Sequence, residues 1–357
     1  MDIPVWMIVI FGLAFLSVMV FINYFIFSRF AKLAGFKPDF IKVLLISIVP
    51  ALLFIISMLL ARYYETVLLK SAYFIASYWL GISLIAFFFL LCSEIILIAW
   101  PVFMSKLYLA SFICSALLSV YAIIHAQSIA IKTVNIDFEK KLTIVQVSDI
   151  HYGAINGDKY LDKVVEIVNA NNPDIILFTG DLVDGTRVIK KDTLYALKKL
   201  KAPAYLVTGN HEFYDGFEKV IPAIEESNVK VIDDKEVIEQ GVQIIGCGFS
   251  MDKRKVEKLF ETIKARKDMP SILLNHEPVS AKIAAKNKVK LMLSGHTHNG
   301  QIFPFNILVR IAYPMIAGKY EVEGMTLFVS SGCGTWGPKM RLCSDNEINV
   351  IKLRGSK

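Results

Sequence analysis

The side chains of this sequence that could carry out chemistry are concentrated around its histidines. The chain of 357 residues has six histidines, and five of them directly follow short apolar runs after residue 140. Those five are His151, His211, His276, His296 and His298. Acidic or amide side chains stand at the same run ends: Asp149, Asp181 and Asn210. Imidazole, carboxylate and amide groups without a thiolate favour Mn, Fe or Zn, and they argue against a structural zinc site.

The spacing of these residues suggests how they are arranged. Asp149 and His151 are two residues apart, so on extended backbone both side chains would face the same way, and the same holds for His296 and His298. Three glycines lie beside the clusters, at positions 180, 209 and 295, where they allow sharp turns and a close approach of the backbone to a ligand. Eight candidate groups are too many for one ion, so the sequence predicts two divalent ions about 3.5–4 Å apart.

These side chains need a scaffold that brings distant parts of the chain together. From residue 133 onward, short runs of Val, Ile and Leu alternate with helical patterns, which is typical of an α/β layered domain. Because ligand sites in open α/β sheets lie beyond the carboxyl ends of strands, we expect the clusters to meet at one edge. The predicted strands are 142–147, 175–179, 205–208, 242–246, 272–274, 290–293, 327–330 and 348–353. The predicted helices are 158–170, 192–200, 217–227, 253–266 and 279–285.

The first third of the chain has a different composition. Residues 1–131 carry 11 of the 71 formal charges, and the rest of the chain carries the other 60. Four apolar runs approach or exceed the roughly 20 residues of a membrane-crossing helix: 3–28, 43–61, 71–100 and 107–131. We therefore expect a transmembrane region of about four spans at 1–131, with the lipid bilayer as a partner, and one α/β domain at 133–357.

Charge and cysteine content exclude some partners and suggest an orientation. The net charge of +7 includes no long basic run, so no nucleic-acid partner is expected. The five cysteines include no Cys-x-x-Cys pair and indicate no disulfide framework. Placing the first and third inter-helix loops in the cytoplasm puts five positive charges inside and two outside. We therefore expect an integral protein of the cell membrane with an extracytoplasmic α/β domain.

Glu94 is interpreted either as a functional intramembrane carboxylate or as a carboxylate at the membrane interface. No second intramembrane charge is expected as its partner.

The chemical clusters also carry a family resemblance. In chain order they are Asp149-Ile150-His151, Gly180-Asp181, Gly209-Asn210-His211-Glu212, a lone His276 and Gly295-His296-Thr297-His298. This pattern resembles that of the calcineurin-like metallophosphoesterases over roughly residues 142–353, and no part of it is missing. The stretches 149–153 and 295–301 look like the membrane-associated branch related to UDP-2,3-diacylglucosamine hydrolases. The resemblance implies two packed mixed β-sheets flanked by helices, and a binuclear metal centre.

The resemblance further implies a role for each residue. One ion would be held by Asp149, His151, Asp181 and His298. The second would be held by Asp181 as a bridging ligand, Asn210, His276 and His296. His211 would contact the phosphate and assist the leaving group without binding metal. The expected catalytic residues are therefore His211, Asp181 and Asn210.

Several other positions have two open interpretations. Asp184 and Arg187 either support the site or its substrate, or belong to a solvated loop. Arg341 either faces a phosphate or forms a structural ion pair. Glu212 is expected to orient His211 or its turn. The apolar segment 302–315 is interpreted either as a lipid-contacting element or as a packed edge strand.

The leading prediction is a membrane-anchored, metal-dependent phosphoesterase. Its substrate would be a phosphomonoester or phosphodiester, on a lipid-linked or cell-envelope molecule. One alternative is a protein or nucleotide phosphatase that is merely tethered to the membrane. Another is a membrane sensor or scaffold that has lost turnover, which the complete set of candidate ligands disfavours.

Overall fold

The computed structural model describes residues 5–190 and 192–355, and it begins with four long apolar helices. These are α1 (Val5–Leu33), α2 (Phe40–Ala61), α3 (Val67–Ala99) and α4 (Met104–His125). All four are long and apolar enough to cross a membrane. The fourth helix ends at His125, six residues before the predicted end of the last span, because residues 130 and 131 already belong to a strand. The predicted start of the first span, at residue 3, lies outside the described residues.

Polar side chains inside the helical bundle are paired with one another. The Nε atom of Arg29 lies 2.9 Å from Oε1 of Glu94, and the Tyr108 hydroxyl donates to the same carboxylate oxygen. The expectation that Glu94 has no charged partner in this region was therefore wrong. Helix α1 continues to Leu33, beyond the predicted end at 28, and this places Arg29 on the bundle beside α3.

The remainder of the described chain folds into an α/β domain with two six-stranded sheets. The first sheet has the order β1-β12-β2-β3-β4-β5, and the second has the order β10-β11-β9-β8-β7-β6. The strands of the first sheet are β1 (Ala130–Phe138), β2 (Leu142–Val147), β3 (Ile175–Phe178), β4 (Ala204–Leu206), β5 (Val229–Val231) and β12 (Glu347–Gly355). Those of the second are β6 (Glu236–Glu239), β7 (Val242–Cys247), β8 (Ser271–Asn275), β9 (Leu291–Ser294), β10 (Gly318–Val322) and β11 (Met325–Val329).

The two sheets pack face to face around one apolar layer. This layer combines residues of the first sheet, such as Ile144 and Leu177, with residues of the second, such as Ile244, Leu274 and Leu293. Helices cover the outer faces: α5 (Asp158–Ala170) and α7 (Phe217–Glu226) on the first sheet, and α8 (Lys255–Thr262) and α9 (Ala281–Lys286) on the second. The short helix α6 (Asn210–Asp215) follows β4. Strands β2 to β5 are parallel, as are β7 to β9, so their carboxyl ends lie at a common edge. The predicted fold class, with two packed mixed sheets, is confirmed.

Some predicted elements differ from the structure. The predicted helix 192–200 is reduced to a 3₁₀ turn at Tyr195–Lys199. Strands β1, β5, β6 and β10 were not predicted. The apolar segment 302–315 contains helix α10 (Phe305–Ala312), so its interpretation as an edge strand was wrong.

The α/β domain rests directly on the helical bundle. Between α2 and α3, Arg62 donates from Nε to the carbonyl of Gly185, 3.1 Å away. At the end of α4, His125 lies 2.9 Å from a carboxylate oxygen of Asp345. In α3, the ring of Phe88 meets the ring of Phe303 from the α/β domain edge to face, with their centroids 5.0 Å apart. The α2–α3 loop therefore lies on the same side of the bundle as the α/β domain.

Candidate metal centre

All five sequence clusters lie at one edge of the two sheets. Asp149 and His151 follow β2, and Asp181 follows β3. Asn210 and His211 open α6 after β4. The remaining three histidines follow β8 and β9 of the second sheet: His276, His296 and His298. The site thus forms where the carboxyl ends of parallel strands from both sheets meet, as the α/β pattern predicts.

Tight turns, rather than extended strands, orient the candidate ligands. Asp149, His151 and Asp181 have φ angles of 53°, 50° and 53°, and those of His296 and His298 are 71° and 49°. The expectation of extended backbone was therefore wrong, although Asp149 and His151 do reach the same group of side chains. Left-handed backbone is strained for residues with a side chain, and such strain is typical of functional sites.

One group of side chains collects around Asp149. The Nε2 atoms of His151 and His298 are 2.9 Å apart, and Nε2 of His298 is 3.5 Å from Oδ1 of Asp149. One ligand atom from each of the three lies within 4.8 Å of the others. All three residues are buried. Two imidazole nitrogens that face each other beside a carboxylate are a suitable donor set for a cation.

A second group collects around Asp181. Its Oδ2 atom lies 3.2 Å from Nε2 of His276, and the same nitrogen lies 3.1 Å from Nδ1 of His296. The Oδ2 atom of Asp181 is also 3.8 Å from Nε2 of His151, which belongs to the first group. Asp181 therefore faces both groups.

Asn210 completes the set of predicted ligands. It is buried, and among the described residues its Oδ1 atom has no hydrogen-bond partner. Its chain neighbours both approach Asp181: the backbone N–H of His211 donates to Oδ1 of Asp181 at 2.9 Å, and a Cβ on Gly209 would lie 2.2 Å from the same oxygen. A buried amide oxygen without a donor is costly unless it binds something, which fits a metal ligand.

Glu212 holds the turn that presents these groups. Its carboxylate accepts hydrogen bonds from the backbone N–H groups of Gly209, Asp181 and Val183, at 2.7, 3.0 and 3.1 Å. Burial raises the pKa of Glu212 to about 7. The prediction that Glu212 orients its turn is confirmed.

The sequence left the roles of Asp184 and Arg187 open, and the structure separates them. Asp184 is buried, and its Oδ1 atom lies 3.3 Å from Nδ1 of His151, on the far side of the ring from His298. It thereby brings a carboxylate next to the ring of a candidate ligand, although the two atoms form no hydrogen bond. Arg187 instead forms ion pairs with Asp158 at 2.9 Å and with Glu65 of the α2–α3 loop at 3.5 Å.

Arg341 has neither of its two predicted roles. It is fully buried, and it donates to the backbone carbonyls of His298 at 2.8 Å, Ser331 at 2.8 Å and Gly334 at 2.6 Å. Its guanidinium therefore holds together the two loops beside Asp149. The interpretations as a phosphate contact and as an ion pair were both wrong, because main-chain carbonyls and the side-chain oxygens of Asn346 and Ser344 take up its donors.

Sequence reasoning gave Tyr313 no role at the site. Its hydroxyl lies 3.0 Å from Nε2 of His296 and 3.4 Å from Oε1 of Glu277. Nδ1 of His296 faces His276, and the Tyr313 hydroxyl contacts the other ring nitrogen, Nε2. The tyrosine therefore holds the imidazole in this orientation. The only sequence signal was its place at the end of the apolar segment that follows the Gly-His-x-His cluster.

The charges of the site favour different protonation states at different candidate ligands. Burial would lower the pKa of His276, but Asp181 outweighs it and raises that pKa to about 10, so this ring binds a metal only after it loses a proton. Burial, together with neighbouring His276, lowers the pKa of His296 to about 3. Burial would raise the pKa of Asp181, but His276 and His211 outweigh it and hold that pKa well below its usual range. A neutral imidazole and an ionised carboxylate are the forms that bind metal.

Fold and site together define the class: an α/β protein with two packed sheets and a metal-binding site at their common edge. Residues 142–300 match the family model described as calcineurin-like phosphoesterase. The chain therefore contains a calcineurin-like metallophosphoesterase domain, as the resemblance of its clusters implied.

Similar proteins agree with this assignment. The chain is 32% identical over 243 residues to an uncharacterized metallophosphoesterase of Campylobacter jejuni, which covers 64% of each chain. It is 33% identical over 276 residues to a transmembrane protein with a metallophosphoesterase domain from Bos taurus, across 68% of this chain and 61% of that one. An uncharacterized metallophosphoesterase of Aquifex aeolicus is 29% identical, across 68% of this chain and 98% of its own length. The matches to the Campylobacter and Bos proteins span less than two thirds of those relatives.

Proposed function

We propose that this protein is a membrane-anchored phosphoesterase that uses two divalent ions, Mn, Fe or Zn, to hydrolyse a phosphomonoester or phosphodiester. The observation that supports it most is the position of Asp181. A single carboxylate oxygen lies 3.8 Å from His151 of one group and 3.2 Å from His276 of the other. A ligand shared in this way suits a pair of ions a few Å apart.

We propose the two ligand sets that the family resemblance implies, and the distances around Asp181 support them. The first consists of Asp149, His151, Asp181 and His298. The second consists of Asp181, Asn210, His276 and His296. When bound, divalent cations supply Lewis acidity toward a phosphoryl oxygen and lower the pKa of water.

His211 is proposed to act on the substrate rather than on the metal. Its Nδ1 atom lies 3.2 Å from the carbonyl oxygen of Asp184, so Nδ1 carries the proton and donates. Its Nε2 atom is then an acceptor, and burial lowers the pKa of His211, which keeps the ring neutral. A neutral His211 can accept a hydrogen bond from a protonated phosphate or from water, and it donates to the leaving oxygen only after gaining a proton.

We further propose that residues 1–131 form the membrane anchor and that residues 133–357 form the catalytic unit. Through the contact between Arg62 and Gly185, the α2–α3 loop lies beside the catalytic unit. This contact supports an even number of membrane crossings between that loop and the catalytic unit. Together with the Lys and Arg bias of the loops, this contact supports a catalytic unit outside the cytoplasm. A substrate on a lipid-linked or cell-envelope molecule is consistent with that location.

A substrate panel tests this function in the full-length chain, purified in detergent. The panel holds para-nitrophenyl phosphate, its bis-ester, phosphatidic acid and a phosphopeptide, each assayed with Mn²⁺ and with a chelator. We expect hydrolysis of at least one ester with Mn²⁺ and its loss with the chelator. Equal rates in both conditions would contradict the metal-dependent function, and a strong preference for the phosphopeptide would favour a tethered protein phosphatase.

A further inference from the structure

Helix α10 presents an apolar surface that no other part of the described chain covers. None of its eight residues is buried. Four large apolar side chains are exposed: Phe305 46%, Ile307 53%, Leu308 59% and Ile311 76%. Positions 307, 308 and 311 fall on one side of a helix. A surface of this kind next to a site is typical of contact with a lipid or a protein.

The position of α10 along the membrane helices identifies its environment. Helix α3 has 33 residues and is therefore about 50 Å long, whereas the hydrocarbon core of a bilayer is about 30 Å thick. Gly81 lies 14 residues after Val67 and 18 before Ala99. These separations correspond to about 21 Å and about 27 Å along the axis, so every placement of the hydrocarbon core within α3 includes Gly81.

The segment that leads into α10 contacts α3 at this depth. A Cβ on Gly81 would lie 3.2 Å from Cδ1 of Ile302, so the two segments are in close contact. Two turns further from the catalytic side, Phe88 packs against Phe303. Ile302 and Phe303 lie just before α10 in the chain. Their contacts with α3 therefore place the start of α10 at the depth of the hydrocarbon core.

The same helix is fixed to the candidate metal centre at both ends. At its first turn, the Cα atom of Asn306 lies 2.1 Å from where a Cβ on Gly300 would be, two residues after His298. At its end, the Tyr313 hydroxyl meets His296 at 3.0 Å. A molecule held against α10 in the bilayer would thus lie beside His296 and His298, two of the three candidate ligand histidines of the second sheet.

We infer that α10 lies within the leaflet on the catalytic side of the membrane and that a lipid phosphoester enters the site from this leaflet along α10. The substrate half of this inference rests on the proposed function, whereas the location of α10 does not. The occupant of the apolar surface is lipid, because Ile302 and Phe303, just before α10, contact the membrane-spanning helix α3.

The location is tested by the depth of a fluorescent label. The full-length chain carries Ile311→Cys, with its three accessible cysteines, Cys92, Cys114 and Cys343, replaced by Ser. In vesicles of phosphatidylcholine and phosphatidylglycerol (3:1), lipid with a nitroxide near the top of the acyl chain serves as the quencher. The control is Ile238→Cys in the same background, because Ile238 is 50% exposed on β6.

We expect the label at position 311 to be quenched at least threefold more strongly than the label at position 238. Equal quenching at both positions would overturn the location, since α10 would then be in water. Crosslinking between two copies through position 311, with no quenching by lipid, would mean that a second chain covers the surface and would equally overturn it.

Entry from the leaflet is tested by the ratio of two activities. Ile311→Asp should lower the rate on phosphatidic acid in vesicles, relative to that on para-nitrophenyl phosphate, by at least tenfold. Ile238→Asp should leave that ratio unchanged. An equal loss on both substrates, or a wild-type chain that cleaves only the soluble ester, would overturn entry from the leaflet. A wild-type chain that cleaves no ester would instead contradict the proposed function, and the quenching result would still decide where α10 lies.

Discussion

Buried polar groups occur in both halves of this molecule, but they are arranged in opposite ways. In the helical bundle most buried or half-buried polar side chains have partners: Arg29 pairs with Glu94, and the Asn23 amide accepts from Trp79 at 3.0 Å, whereas the Ser119 hydroxyl has no partner among the described residues. At the common edge of the two sheets, the amide oxygen of Asn210 has no partner among the described residues. There, the Nδ1 atom of His151 is also without a hydrogen-bond partner among the described residues.

The difference shows what each set of polar groups does. Inside a membrane, a polar side chain is tolerated when another side chain of the bundle satisfies it, and the result is structural. A cluster of acceptors with too few donors is unfavourable by itself, because each unsatisfied buried group costs about 1–3 kcal/mol. Such a cluster makes physical sense when cations complete it. Substitutions in the two regions should therefore have different consequences.

The largest effect is expected for Asp181→Ala. Both candidate ligand sets lose a member, so turnover should fall by at least about 10³-fold. Steady-state kinetics of the full chain check this, with Asp162→Ala, an exposed carboxylate paired with Lys199, as the control. If Asp181→Ala were as active as its control, the shared-ligand arrangement would be wrong.

Arg341→Met should cost the next largest amount, and mainly in stability. The substitution leaves carbonyls of His298, Ser331 and Gly334 without their donor, at about 1–3 kcal/mol each, so we expect a loss of about 3 kcal/mol or more. Denaturant unfolding measures it, with Lys352→Met, an exposed position on β12, as the comparison. A loss below about 1 kcal/mol would mean that water satisfies these carbonyls instead.

A smaller effect is expected for Asp184→Asn, which removes the charge beside Nδ1 of His151 but keeps the side-chain shape. Groups that orient a ligand typically contribute about 10–100-fold in metal affinity or activity. Metal titration of the chelator-treated chain should show a weaker affinity in this range, while the Asp162→Asn control stays at the wild-type value. An unchanged affinity would remove Asp184 from the support of the site.

The smallest effect is expected in the bundle. Replacing both members of the Arg29–Glu94 pair, by Met and Gln, should lower stability by about 1–2 kcal/mol, in line with measured polar contacts between membrane helices. The rate on a soluble ester should not change, because the pair lies at the opposite end of the bundle from the site. Thermal unfolding and the same kinetic assay check both statements, and a loss of turnover without a loss of stability would contradict a structural role.

The sequence predicted much of the sheet structure because buried strands form continuous apolar runs. The predicted strand 142–147 agrees with β2 at both ends. Strands β1 and β10 alternate between partly buried and exposed residues, so they gave no such run. By itself, the start of β1 resembles the end of a membrane span. It forms a strand because it pairs with β12, which lies more than 200 residues away in the chain.

The candidate site was predictable in its residue types but not in its supports. Histidines and aspartates after apolar runs are visible in the sequence, since chemistry restricts those positions to a few side chains. Arg341 and Tyr313 support the site through a carbonyl network and one hydroxyl contact. Such contacts depend on how loops distant in sequence fold together, so no local pattern reveals them. The partner of Glu94 was missed for a similar reason, because it depended on where α1 ends.

The number of metal ions bound per chain is the most direct test of the account. Elemental analysis by mass spectrometry of the purified full-length chain, after equilibration with Mn²⁺ and removal of free metal, measures it. We expect about two ions per wild-type chain and fewer in Asp181→Ala. One ion or none in a wild-type chain that hydrolyses phosphate esters would contradict the shared pair of sites around Asp181.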